Sequence, residues 1–171
     1  MIEVNLTKAL CAFIEQAVKD FRLERAPRIE ERTPGSLFED PPVMPEPQKN
    51  GVIPIKVYNG WLPDKEQSHP NDFPFITVRP TGGVVKPGCS SCSIDIVIGT
   101  YSADSQGYLD VMNVLQRVLM NLSILQNNTL DDKYERVNDM TWQLPFDQPE
   151  PFYQAVISTE WNIYKNDFYF V

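Results

Sequence analysis

Residues 93–122, SIDIVIGTYSADSQGYLDVMNVLQRVLMNL, read as a strand running straight into an amphipathic helix. That unit restricts the chain to folds in which a helix lies on a sheet. Ile94, Ile96 and Ile98 alternate with Asp95, Val97 and Gly99, the two-residue period of a strand with one apolar face. Ser102-Ala103-Asp104-Ser105 then offers side chains able to cap the free N–H groups of a helix start. From Tyr108 the period lengthens. Tyr108, Val111, Met112, Leu115, Val118, Leu119 and Leu122 fall on one stripe of a helix about 22 Å long. Burying those seven side chains is worth roughly 10–15 kcal/mol before the entropy of ordering them is subtracted.

Other segments can be set against this unit. Residues 5–24 predict a first helix with Leu6, Leu10, Phe13, Ile14, Ala17, Val18 and Phe21 on its apolar face, Asn5 as N-cap and Pro27 as its stop. Residues 26–51 alternate prolines, among them Pro41, Pro42 and Pro45, with acids. Such a stretch can neither continue a helix nor pair as a central strand, so it reads as an extended arm or long loop, either one that a partner orders or a disordered linker. Pro54 demotes 52–58 to an edge strand, Asn59-Gly60 marks a turn, and 61–72, containing Trp61 and Pro63, reads as loop. Residues 73–80 form a strand with Phe73, Phe75, Thr77 and Arg79 on one side and Ile76 and Val78 on the other. Gly82-Gly83 and Pro87-Gly88, flanking Lys86, bound a hairpin tip. Residues 123–134 are loop and 136–144 strand, with Met140, Trp142 and Leu144 on one side. The longest strand is 152–165, where Tyr153, Ala155, Ile157, Thr159, Trp161 and Ile163 share a face; the aromatic tail DFYFV, holding Phe168, Tyr169 and Phe170, follows. The expected fold is α+β, one domain over 1–171: a mainly antiparallel sheet of four or five strands, wet on one side, with two helices on the other.

The chemistry of the chain is sparse. Its 171 residues carry a net charge of −8, with no cluster of Lys and Arg to hold a phosphate backbone. There is no bilayer-length apolar run and no leader pattern, which predicts a soluble, cytoplasmic protein and gives the sequons at Asn5, Asn121 and Asn127 little meaning. Cys89-Ser-Ser-Cys92 is the one motif that suggests a metal or redox centre, but zinc needs four ligands and only Cys11 and His69 remain. The plainer reading is two cysteines in an exposed hairpin turn. His69 lies in a polar loop without a nucleophile elbow, and no glycine spacing matches a phosphate loop. Asp95 could be a nuclease carboxylate only with a second acid and a lysine beside it; Glu160 and Lys165 are the candidates, and their offset of five puts them on opposite faces of a strand. Asp104, Gln106 and Asp110 read as capping and first-turn residues. No catalytic residue and no cofactor is expected.

Three segments, Pro74–Arg79 (PFITVR), Ile94–Tyr101 (I-x-I-x-I-G-T-Y) and Asp104–Asn113 (D-x-x-G-Y-x-D-V-x-N), together resemble the tail terminator, or tail completion, proteins of long-tailed bacteriophages and prophages. The resemblance covers about the middle third of the chain, and neither the proline-rich arm nor Cys89 and Cys92 belongs to it. It implies an α+β subunit of a hexameric ring that caps the tail tube and joins it to the head-proximal neck. The implied partners are further copies of itself, the tube protein and the connector proteins, in the virion and, during assembly, in the host cytoplasm. DNA would pass a net-negative ring without being held, and no membrane is involved. Pro41, Pro42, Pro45, Trp61, Pro63, Lys86, Phe168, Tyr169 and Phe170 are the candidate interface residues. The alternatives are a metal- or thiol-dependent enzyme using Cys89 and Cys92 or Asp95, and another neck or head-completion protein of the same fold.

Overall fold

A computed structural model describes residues 2–26, 51–62, 73–148 and 150–164. In chain order the elements are α1 (Ile2–Val18), β1 (Arg22–Glu24), β2 (Val52–Pro54), β3 (Lys56–Asn59), β4 (Phe75–Val85), β5 (Cys89–Tyr101), α2 (Tyr108–Ser123), β6 (Thr129–Leu130), β7 (Tyr134–Gln143) and β8 (Phe152–Tyr164). The fold is α+β. Its main sheet has six strands in the order β3-β4-β5-β8-β7-β6, antiparallel except for the β3–β4 pair, and β1 and β2 form a separate two-stranded sheet. That is one or two strands more than the sequence suggests. The proline-rich arm falls outside the described residues.

β5 and β8 make the centre of the sheet, paired from Cys89↔Tyr164 to Tyr101↔Phe152. Strict alternation explains their burial. Ile94, Ile96 and Ile98 of β5 and Ala155, Ile157 and Trp161 of β8 are fully buried on the face that both helices cover. α1 contributes Leu6, Leu10, Ile14 and Val18, and α2 contributes Val111, Val114, Leu115, Val118 and Leu122.

Several boundaries depart from the sequence pattern. α1 begins before Asn5 and ends at Val18, where Phe21 N–H bonds to the Val18 carbonyl. Asn5 is thus inside the helix and caps nothing at its start. Phe21 fits the helical stripe but follows the end of the helix, and Leu23, off that stripe, reaches the core from β1, where it pairs with Ile53. The strand expected at 52–58 is two short ones, β2 and β3. The edge position assigned on Pro54 holds for β3 against β4.

α2 starts where its period says, yet it is rotated. Tyr108 is half exposed, and Val114 takes its place in the core. The polar run before it shapes a turn rather than the cap of α2. Asp104 Oδ1 accepts from Gln106 N–H at 3.2 Å and Ser102 Oγ from Asp104 N–H at 3.4 Å, while the N-cap position, Gly107, has no side chain to offer. Gly82 and Gly83 are not a hairpin tip. They pair with Ser93 and Cys92 in the ladder, past an irregularity at Pro80, and the tip is Lys86-Pro87-Gly88, closed by Lys86 N–H to the Cys89 carbonyl.

Candidate functional site

The sheet face away from the helices holds the polar chemistry, and it is less wet than alternation alone suggests. At one end Phe73, Phe75, Tyr101 and Phe152 pack ring to ring, with centroids 4.9–5.4 Å apart. They close over Gly99, where an added Cβ would collide with the Phe75 ring. In the middle Asp95 faces outward as expected, but it is partnered. Ser158 Oγ donates to Asp95 Oδ1 at 2.8 Å, and Arg79 Nη2 stands 4.0 Å from Oδ2. The Arg79 guanidinium lies over the Trp61 ring, 5.1 Å from its centroid. Trp61, Leu62, Phe75, Thr77, Arg79 and Val97 surround a cavity of about 250 Å³.

A shallow groove of about 300 Å³ lies beside it, lined by Asp95, Asn138, Asp139, Ser158 and Glu160 among others. Asn138 Nδ2 donates to Glu160 Oε2 at 2.5 Å, so that acid too is engaged. Among the described residues no three His, Cys, Asp or Glu side chains converge where a metal ion could sit. Tyr164 donates to Glu135 across the β7–β8 pair, and that hydrogen bond is the chief cause of the raised Tyr164 phenol pKa.

The Cys89–Cys92 motif is not in a turn. Both residues belong to β5, three apart, so their side chains leave opposite faces of the sheet. A strand rises about 3.3 Å per residue, so the two thiols cannot meet one metal ion or form a disulfide with each other. Cys92 is buried on the helix side opposite Trp161, while Cys89 is partly exposed. The hairpin-turn placement expected for the pair is therefore corrected: pairing with β8 extends β5 back to Cys89.

Cys11 is the third thiol, buried on α1. Burial, with Glu15 adding, pushes its pKa up from 9.0 to about 11. Below pH 9 this thiol is protonated whether the chain is folded or not, and its contribution to stability is fully present. As pH rises from about 9 to about 11 the unfolded chain loses the proton first, so stability falls. Urea melts across that interval are expected to show the decline, and a C11A variant to flatten it. In the native protein at pH 8 a thiol reagent should modify Cys89 and leave Cys11 and Cys92 until unfolding.

At the start of α2, Asp110 also has a raised pKa. Desolvation is the main cause; a hydrogen bond from Ser102 opposes it, and the charges of Glu24 and Asp104 add to it. Glu24 Oε2 accepts the Ala103 N–H at 3.0 Å, which ties β1 to this turn.

Of the residues proposed for contacts with partners, Trp61 is 74 % exposed and Lys86 is exposed at the hairpin tip. Pro41, Pro42, Pro45, Pro63, Phe168, Tyr169 and Phe170 lie outside the described residues, as do His69 and Lys165. Sequence reasoning missed Trp142, Leu144 and Phe146, which are 51 %, 38 % and 102 % exposed along the end of β7 and the segment after it. The Gln148 side chain fixes that segment: its Oε1 accepts Gln154 N–H at 2.7 Å and its Nε2 donates to the Gln154 carbonyl at 3.0 Å. The shared side of Trp142 and Leu144 was legible, but alternation alone does not say whether that side is covered.

No helix among the described residues is long and apolar enough to cross a membrane. The chain matches no protein-family model, and a search of curated proteins finds no significant match.

Proposed function

We propose that this chain is a structural virion subunit of a long-tailed bacteriophage, one that caps the tail tube as a ring and joins it to the neck, with no catalysis of its own. The observation that carries the reading is the arrangement of the three segments of the resemblance. Pro74–Arg79 runs from the approach to β4 into that strand, Ile94–Tyr101 is the β5 stretch beside it, and Asp104–Asn113 is the turn into α2. One continuous unit of sheet and helix thus contains all of them. Asp95 and Glu160 are engaged in hydrogen bonds, and Cys89 and Cys92 point apart, which supports a reading without catalysis. The acidic balance, −8 over the chain, suits a ring that lets DNA through without binding it.

The test is assembly. Purified full-length chain, examined by analytical ultracentrifugation and negative-stain electron microscopy with and without tail tubes, is expected to form six-membered rings or to sit on tube ends. A species that stays monomeric at every concentration and leaves tube ends bare overturns the reading.

A further inference from the structure

We propose that copies of this chain join head to tail, the Phe146 loop of one copy seated in the groove on the outer side of α2 in the next. The inference deepens the ring reading and rests on it. The groove encloses about 630 Å³ between α2 and Phe21, the residue that follows the end of α1. With 3.6 residues per turn, its lining residues Arg117, Met120 and Ile124 fall on the side of α2 opposite the buried Val111, Leu115 and Val118. The outward side of a surface helix is ordinarily polar, yet here Met120 is 59 % exposed and Ile124 77 %. The Arg117 guanidinium lies over the Phe21 ring, 5.2 Å from its centroid. An exposed apolar surface rimmed by polar groups marks a contact site.

Phe146 has the complementary form. Its side chain is fully exposed, and the groove lining does not include it, so the two features do not satisfy each other within one copy. The backbone beneath it is held on both sides: Gln148 Nε2 donates to the Pro145 carbonyl at 2.9 Å, and the same side chain bonds both backbone groups of Gln154. An aromatic ring fixed in advance and inserted into an apolar groove is the usual anchor of an interface, because little ordering remains to be done on contact.

Charge names the occupant as a second copy, in one orientation. Residues 144–154 carry Asp147 and Glu150 and no Lys or Arg. Arg117 is the one charged side chain in the groove lining, and Lys19, Asp20 and Arg22 flank Phe21, two bases to one acid. Seating Phe146 brings its exposed neighbour Asp147 to Arg117. Loop against loop would set acid on acid, and groove against groove would set Arg117 on Arg117, so only the unlike pairing attracts. Such a contact is not self-complementary, and it closes into a ring when the rotation divides the full turn.

The test uses two full-length variants, Phe146→Asp, which spoils the loop, and Ile124→Asp, which spoils the groove. Both positions are exposed, so each variant should melt like the unmodified chain. At a concentration where the unmodified chain forms rings and a lysine cross-linker gives a ladder up to the ring, each variant alone is expected to lose at least about tenfold in assembly. Mixed and cross-linked, the two variants are expected to give dimers and nothing larger, because each pair keeps one intact loop and one intact groove. Rings from either variant alone, or a mixture that stays monomeric, overturn the inference and leave the ring reading standing. Rings lost with Ile124→Asp but kept with Phe146→Asp would mean that the groove takes a different segment, which also overturns it. An unmodified chain that neither forms rings nor binds tube ends removes both.

Discussion

Trp161→Ala is expected to lower the unfolding free energy by about 3–5 kcal/mol, the usual cost of emptying a large aromatic site in a core. The indole is fully buried between the helices and the sheet. It also closes a small polar chain: Trp161 Nε1–H donates to Thr159 Oγ1 at 2.9 Å, and Thr159 donates to the Ile94 carbonyl on β5 at 3.2 Å. The hydrogen bonds decide little of the total. A Trp161→Phe variant keeps most of the volume and leaves Thr159 bonded to Ile94, so its loss should be the bond term of about 0.5–1.5 kcal/mol plus a small packing loss. Against a typical net stability of about 5–15 kcal/mol, the alanine variant would sit near the edge of folding, with a melting temperature lowered by roughly 10 °C or more. Urea melts followed by circular dichroism check both variants. Equal losses for alanine and phenylalanine would mean that the polar chain, and not the ring volume, is what matters at this site.

Gly107→Ala should also destabilise, by about 1–2 kcal/mol, although alanine is the better helix former. Two effects compete. Gly107 has φ −57° and ψ −22°, which alanine adopts freely, so removing glycine's freedom in the unfolded chain favours the variant by about 0.4–1 kcal/mol. Against this, the added Cβ would lie 2.6 Å from Tyr153 Cε2 and 2.6 Å from Ser102 Cβ. Tyr153 is buried on β8, so its ring has little room to retreat, and overpacking of this kind costs about 1–3 kcal/mol. The clash wins. Gly82→Ala is the control, because a Cβ added there, on the open β4 edge, would meet nothing within 4 Å. A Gly107→Ala variant as stable as Gly82→Ala would show that the α2 turn can shift away from β8 at no cost.

The parts of the fold legible in the sequence are those where one physical signal acts alone. β8 alternates cleanly over thirteen residues because one face meets only core, and the residues read as buried, Tyr153 through Ile163, are buried. Where two signals coincide, pattern reading fails. Phe21 continues the helical stripe, yet the helix ends at Val18 and Arg22–Glu24 pair instead with β2, a partner about thirty residues away. Gly82-Gly83 is a turn signal by composition, yet the ladder to β5 overrides it, and Pro80 sits where, among the described residues, no strand flanks β4 on its far side. The same extension moved Cys89 and Cys92 from a tip into a strand and so onto opposite faces. The outward aromatic cluster went unseen for another reason: Gly99 looks like an ordinary break in an apolar run, and only the packed rings show that its missing side chain makes room for Phe75.

β1 and β2 have a consequence for how the gene can vary. Arg25 N–H bonds to the Gly51 carbonyl at 3.2 Å, next to the β1–β2 pairing, so the two ends of the interval between them are neighbours in space. Whatever is spliced between those points is closed at its base by paired backbone, and doubling its length costs only about 0.6 kcal/mol of closure entropy. With both ends held at one place by β1 and β2, a change in the length of this interval is expected to alter the cost of folding mainly through the small closure term, which a series of length variants followed by urea melts would read.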